Sequence, residues 1–192
     1  MRVENVHIYG LNESIRASKF PMATDTNKCD SEITKRTIAL GRAERGSGHD
    51  NFLKGIVVQF DLTFTIKAWT EAERYHWLDI ISSQSTMHCI TKFDIEKQCN
   101  KRVDERIIAI LQEKAEHYKQ LVECDPDAAK EAYLDVLYNV PVGFELTARI
   151  TTNYQQLKTI YYQRKDHRLP EWKEFCHWVE ELPEFKNLVL GW

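Results

Sequence analysis

Between Ile56 and Lys67 the chain reads IVVQFDLTFTIK, with Ile56, Val58, Phe60, Leu62, Phe64 and Ile66 alternating against Val57, Gln59, Asp61, Thr63, Thr65 and Lys67. Side chains on a strand point to opposite faces in turn, so this alternation predicts a long strand with one buried face. A second alternation follows the breakers Pro141 and Gly143: Phe144, Leu146, Ala148 and Ile150 against Glu145, Thr147, Arg149 and Thr151. Val3 to Gly10 is a third, shorter strand closed by glycine.

The intervening segments carry helical spacing. Ser31 to Leu40 places Ile33, Thr37 and Leu40 on one face ahead of Gly41. Thr70-Glu71-Ala72-Glu73 has the spacing of a capping box and predicts a helix through Ile81, with Tyr75-His76-Trp77 in its later half. Ser82 to Phe93 then reads as a loop passing into an extended segment. From Asp104, the positions Ile107, Ile108, Leu111, Ala115, Tyr118 and Val122 form a helical stripe, and Pro126 opens a second helix through Tyr138. Asn153 caps a helix to about Arg164, and Pro170 opens a last one over PEWKEFCHWVEEL. Strands and helices mix without regular βαβ alternation, which predicts an α+β fold: an antiparallel-rich sheet with a helical layer and a helical insert.

Composition narrows the function. A chain of 192 residues, 43% hydrophobic and 29% charged, is expected to form one globular domain over 1–192. No apolar run approaches the roughly 18 residues that span a bilayer, and Met1 to Asn12 lacks the apolar stretch of a secretory signal, so a cytoplasmic protein is expected. Five cysteines without a CxxC pair argue against a disulfide framework. A net charge of -3 supplies no global field for duplex nucleic acid, which leaves small anionic ligands at a local pocket.

Several polar groups are candidates for such a pocket. Arg45-Gly46-Ser47-Gly48-His49-Asp50-Asn51 is a connector whose glycines supply positive φ, or a turn that presents His49 to a ligand. The run Ser82 to His88, with Gln84, Ser85 and His88, is a solvated turn or a cluster of donors for a base or phosphate. His76, His88 and Cys89 have no established zinc spacing, so no metal is expected. Arg164 lies about three turns and roughly 16 Å from Asn153. Its place at a helix C-terminus fits dipole complementarity, or a bidentate donor to a phosphate or pyrimidine oxygen. No Ser-His-Asp or Cys-His nucleophile stands out.

The order of these elements resembles the flavin-dependent thymidylate synthases. Their hallmark is Arg-His-Arg, seven free positions and Ser; Tyr75-His76-Trp77, seven positions and Ser85 keep the spacing, the histidine and the serine. Gly48-His49 is similar to the family's Gly-His turn, with Lys54 where an acidic residue is usual. Asn153-Tyr154-Gln155-Gln156-Leu157 resembles Asn-x-Arg-x-Leu, Arg164 falls at the arginine that contacts the pyrimidine nucleotide, and Met87 stands where a phosphate-binding arginine is usual. The following KDHRLPEWKEF resembles His-Ala-Gln-Trp-Glu-Ile with one residue inserted.

The resemblance spans roughly Gly46 to Phe175. It implies FAD near His49, His76 and Asn153, a dUMP-like nucleotide at Ser85 and Arg164 with Gln84 and His88 beside them, and a homotetramer whose sites lie between subunits. Neutral residues replace four cationic groups, which predicts a flavin affinity much weaker than in the family, since a hydrogen bond to a charged group is worth about 1.5 to 3 kcal/mol. Three functions stay open: an enzyme of reductive methyl transfer, a non-catalytic protein that binds or sequesters a nucleotide, and a structural oligomer. The small divergent chain also suggests a phage or mobile-element setting.

Overall fold

The computed structural model describes residues 1–191. Among these residues four strands, β1 (Arg2–Tyr9), β2 (Val57–Thr65), β3 (Asp79–Ser83) and β4 (Glu145–Asn153), form one antiparallel sheet in the order β1-β2-β4-β3. The two strands with the clearest alternation pair at the centre, with Phe60 opposite Ile150 and Leu62 opposite Ala148. Their apolar positions share one face, and Val58, Phe60, Leu62, Phe64 and Ile150 are fully buried there. The other face is polar: Thr63 and Thr147 share a 2.8 Å hydrogen bond, and Arg149 meets Asp61 at 3.1 Å.

Both edge strands are bulged. The β1 register slips by one residue between Glu4 and His7, where Asn5 takes φ +51°, a conformation asparagine tolerates. The β3 register slips between Ile80 and Ser82. Ahead of the central strand lie α1 (Leu11–Ala17) and α2 (Lys35–Gly41). Gly10 turns the chain from β1 into α1 at φ +72°, and a Cβ there would sit 2.4 Å from the Gly55 carbonyl oxygen. The α2 helix starts four residues later than the sequence predicts, because Thr34 and Thr37 cap it reciprocally.

The apolar sheet face is covered by α8 (Tyr154–Arg164) and α9 (Pro170–Glu180), followed by a π-helical segment Lys186–Leu190. Tyr154, Leu157, Ile160, Trp172, Phe175 and Val179 from these helices are buried against the strands. Phe64 sits between Trp69 and Trp172, with ring centroids 5.4 and 5.2 Å away.

The helical insert consists of α4 (Thr86–Cys89), α5 (Ile95–Gln98), α6 (Glu105–Cys124) and α7 (Pro126–Tyr138). Asp104 and Asp125 cap α6 and α7. Leu111, Ala115 and Val136 pack on Ile90, Ile95 and Phe144 as a second core.

Two sequence expectations fail between β2 and the insert. The helix α3 spans Ile66–Ala72, not Thr70 to Ile81: Thr65 caps it, and the carbonyls of Phe144 and Val142 accept from Ile66 N and Lys67 N at 2.9 Å each. Those acceptors satisfy orphan donors of the first turn, so the helix begins where β4's approach permits it. Thr70 lies inside, its hydroxyl donating to the Lys67 carbonyl at 2.8 Å. Beyond Ala72 the chain turns, with Trp77 at φ +69°, and Asp79–Ser83 joins the sheet. The Ser82 to Phe93 stretch is therefore the end of β3, then α4, then a 3-10 turn at Ile90–Lys92. Being exposed throughout, β3 carries no buried-face alternation to reveal it.

Candidate functional site

The Gly-His turn is fastened to α8 from below. Gly46 and Gly48 have φ +84° and +78°, as a tight connector requires. Asp50 at its end is buried, and its Oδ2 accepts from Lys158 Nζ at 2.7 Å while its Oδ1 accepts from Gln155 Nε2 at 2.8 Å. Lys158 also donates to the carbonyls of Gly41 at 2.9 Å and Ala43 at 2.6 Å, so its three protons are all engaged. His49 projects from this anchored turn, exposed, with an imidazole that makes no hydrogen bond among the described residues. Asn153 lies close by in the chain path: its Oδ1 caps α8 by accepting from Gln156 N at 2.9 Å, and Tyr154 N donates to the Ile56 carbonyl.

At the opposite end of α8, Arg164 is enclosed by aromatic rings, 4.8 Å from the centroid of Trp172 and 5.4 Å from that of Tyr75. Its Nη1 donates to Glu71 Oε2 at 2.9 Å and its Nε to the Tyr75 hydroxyl at 2.7 Å, while Nη2 has no partner among the described residues. The Tyr75 hydroxyl in turn donates to Gln163 Oε1 at 2.9 Å. Glu71 also accepts from Lys67 and Trp172 and faces His167 at 3.3 Å. Burial pushes its pKa up, but the Lys67 hydrogen bond and the charges of His167, Lys67 and Arg164 outweigh it and hold the carboxyl below the ordinary range. A cavity of about 520 Å³ opens beside this cluster, lined by Lys67, Glu71, Gln163 and His167.

Glu71 is the residue that sequence reasoning missed, taken there for part of a capping box. Its only local signal is Lys67 four residues earlier, and its guanidinium partner is 93 positions away.

The segment after α3 supplies the remaining candidates. His76 lies in the turn rather than on a helix, edge-on to Trp77 at 5.4 Å, in a recess of about 310 Å³. Gln84 extends the β3–β4 ladder, its N–H donating to the Thr147 carbonyl and its Oε1 accepting from Thr147 N, both at 2.9 Å. Its side chain borders a crevice of about 270 Å³ between α3 and β3, with Trp69, Leu146 and Ala148 as apolar lining and Thr70, Glu73 and Ser83 as polar lining. Ser85 precedes α4 with a hydroxyl that makes no hydrogen bond among the described residues. His88 borders a different cavity, in the insert.

The candidates therefore fall into separate places within one chain. His49 and Asn153 lie at one end of β4, and Gln84 and Ser85 at the other, where Thr147 is six residues from Asn153, or about 20 Å at strand rise. Arg164 stands with Tyr75 and Glu71, and His88 stands apart. Among the described residues no group of three or more His, Cys, Asp or Glu side chains is placed to hold a metal ion. All five cysteines are free, and burial pushes the Cys176 thiol up to about 12, which makes it a poor nucleophile at neutral pH.

No family model matches the sequence, and no curated protein matches it. Solved structures do match the fold. Two structures of the flavin-dependent thymidylate synthase ThyX from Helicobacter pylori, each with FAD and dUMP, align with TM-score 0.70 and 16% identity over 100% of this chain and 98% of theirs. The chain has the ThyX fold. A UMP/dUMP methylase, PolB from Streptomyces cacaoi, bound with 5-Br dUMP, aligns with TM-score 0.64 and 15% identity over 98% of this chain and 91% of its own. Because the alignment covers the whole of this chain, the likeness takes in the antiparallel sheet, the helices on its apolar face and the insert between β3 and β4. No helix among the described residues is long and apolar enough to cross a membrane.

Proposed function

We propose that the protein binds a pyrimidine nucleotide of the dUMP type in an assembly of several copies, most simply a tetramer. The observation that carries this reading is the end-to-end likeness to ThyX and PolB structures that hold dUMP or 5-Br dUMP. The crevice between α3 and β3 supports it, because an apolar lining with a few hydrogen-bonding groups suits a flat polar ring. Gln84 keeps its amide donors, Ser85 its hydroxyl and Arg164 its Nη2 for uracil or phosphate oxygens. Their separation within one chain is the reason for placing the complete site between copies.

FAD is the cofactor the fold implies, and it supplies hydride chemistry when bound. The residues present do not fit its pyrophosphate as the family does. Gln155 stands at a family arginine and spends its amide on Asp50 and Asn51; Tyr75 stands at another and is engaged with Arg164 and Gln163. Trp77 and Met87 add no charge at the remaining positions. This neutral set favours a second reading, in which the protein binds or sequesters the nucleotide without reductive methyl transfer.

Titration calorimetry with dUMP and UMP, the absorbance spectrum of the freshly purified protein and light scattering test both readings. Saturable heat with dUMP, a colourless protein and an oligomer are expected. No heat with either nucleotide overturns the proposal, and stoichiometric yellow cofactor returns methyl transfer to first place.

A further inference from the structure

We propose that the cleft formed by α4, α6 and α7 is a second ligand site, for a small anion with an aromatic or otherwise apolar body. Its volume of about 610 Å³ lies within the range of small-molecule sites, roughly 300 to 1,000 Å³. Tyr118 and Tyr133, with ring centroids 4.9 Å apart, form an aromatic wall continued by Val122, Ala129 and Leu134. Val122 and Leu134 are 45% and 41% exposed, so the chain leaves this apolar lining uncovered.

The polar lining is one-sided. His88, Lys92 and Lys130 border the cleft, and no carboxylate does. Lys130 is paired with Asp127 at 2.8 Å, but the His88 imidazole, the Lys92 ammonium and the Tyr118 hydroxyl make no hydrogen bond or ion pair among the described residues. The Tyr133 hydroxyl is committed to the Met87 carbonyl at 2.8 Å and holds α4 against α7. A surplus of donors and positive charge beside uncovered aromatic surface selects an acceptor-rich anion with an apolar body. Inorganic phosphate lacks the body, and an uncharged ring leaves the cations unused.

This site is separate from the nucleotide proposal, and its test keeps the two distinguishable. The probe is 8-anilinonaphthalene-1-sulfonate, with uncharged N-phenyl-1-naphthylamine as the same ring system without the anion. One saturable sulfonate site per chain is expected by fluorescence titration. Val122→Trp, which fills the cleft from a half-exposed helix position, should weaken binding at least tenfold. Lys92→Gln with Lys130→Gln should weaken the sulfonate several-fold and leave the uncharged dye within twofold. dUMP should not displace the probe. Each variant is read with its circular dichroism spectrum, and Leu134→Trp on the facing helix replaces Val122→Trp should that variant unfold. Absence of a saturable site, indifference to the tryptophan variants, equal loss of both dyes in the lysine double variant, or displacement by dUMP each overturn the proposal, the last by making the cleft the nucleotide site.

Discussion

Helix α8 holds a cation against a carboxylate at two places, and the two are completed in opposite ways. Lys158 and Asp50 are almost wholly removed from solvent, and every proton of the ammonium has an acceptor. Arg164 and Glu71 remain 14% and 11% exposed, Arg164 Nη2 has no partner among the described residues, and a cavity opens beside Glu71. A saturated pair can only fix structure, here the anchorage of the turn that carries His49. The unsaturated pair is held between two aromatic rings with a donor to spare, and it is this spare donor that the proposed nucleotide site draws on.

The strongest way to break this contrast is Lys158→Met. Removing one partner of a buried pair strands the other charge at a cost of about 3–5 kcal/mol, and here the Gly41 and Ala43 carbonyls lose their donor as well. Urea unfolding should show a loss of that size, partly recovered when Asp50→Asn is added. A loss below about 1 kcal/mol, the level of an exposed pair, would erase the distinction between the two ends of α8.

Arg164→Ala addresses the other end. Nucleotide affinity should fall by about 1.5 to 3 kcal/mol in calorimetric titration, the range for hydrogen bonds to charged groups. Thermal stability should fall as well, because the buried Glu71 carboxylate loses the guanidinium 2.9 Å away. Unchanged affinity in a folded variant would reduce Arg164 to the same fixed role as Lys158.

Glu71→Gln sharpens the comparison through pH. The folded-state pKa of Glu71 is depressed, so its contribution to stability is complete above the ordinary glutamate value near 4.5 and is lost as pH falls through the lower folded value. Wild type should exceed the variant in unfolding free energy at neutral pH, and the gap should close progressively below about 4.5. A gap that stays constant into acid would show that the carboxylate charge is not what holds Arg164.

The smallest effect is expected at Asp61→Asn. Asp61 meets Arg149 on the polar sheet face with both side chains about a quarter exposed, and the Asn5 hydrogen bond is the chief cause of its lowered pKa. Denaturation midpoints should shift by no more than about 1 kcal/mol equivalent. A larger shift would mean that the bulge at Asn5 and the edge of the sheet depend on this pair more than its exposure implies.

Local signals in the sequence reached the central strands, the insert hairpin and the final helices. Val58 to Phe64 and Leu146 to Ile150 alternate because one sheet face must be apolar, and Asn153, Asp104 and Pro126 mark helix starts through groups in their own first turn. The spacing of His76, Ser85, Asn153 and Arg164 pointed to the fold that the ThyX structures share with this chain. Only the tertiary structure decided where α3 begins, because its first donors are met by carbonyls at Val142 and Phe144, and only it revealed β3, an exposed edge whose partner lies across the insert. It alone gave Arg164 to Glu71, Gln155 to Asp50 and His88 to the insert cleft. Periodicity and capping are written over a few neighbouring residues, whereas the partner of a buried charge is set by how distant segments pack, and no local spacing records that choice.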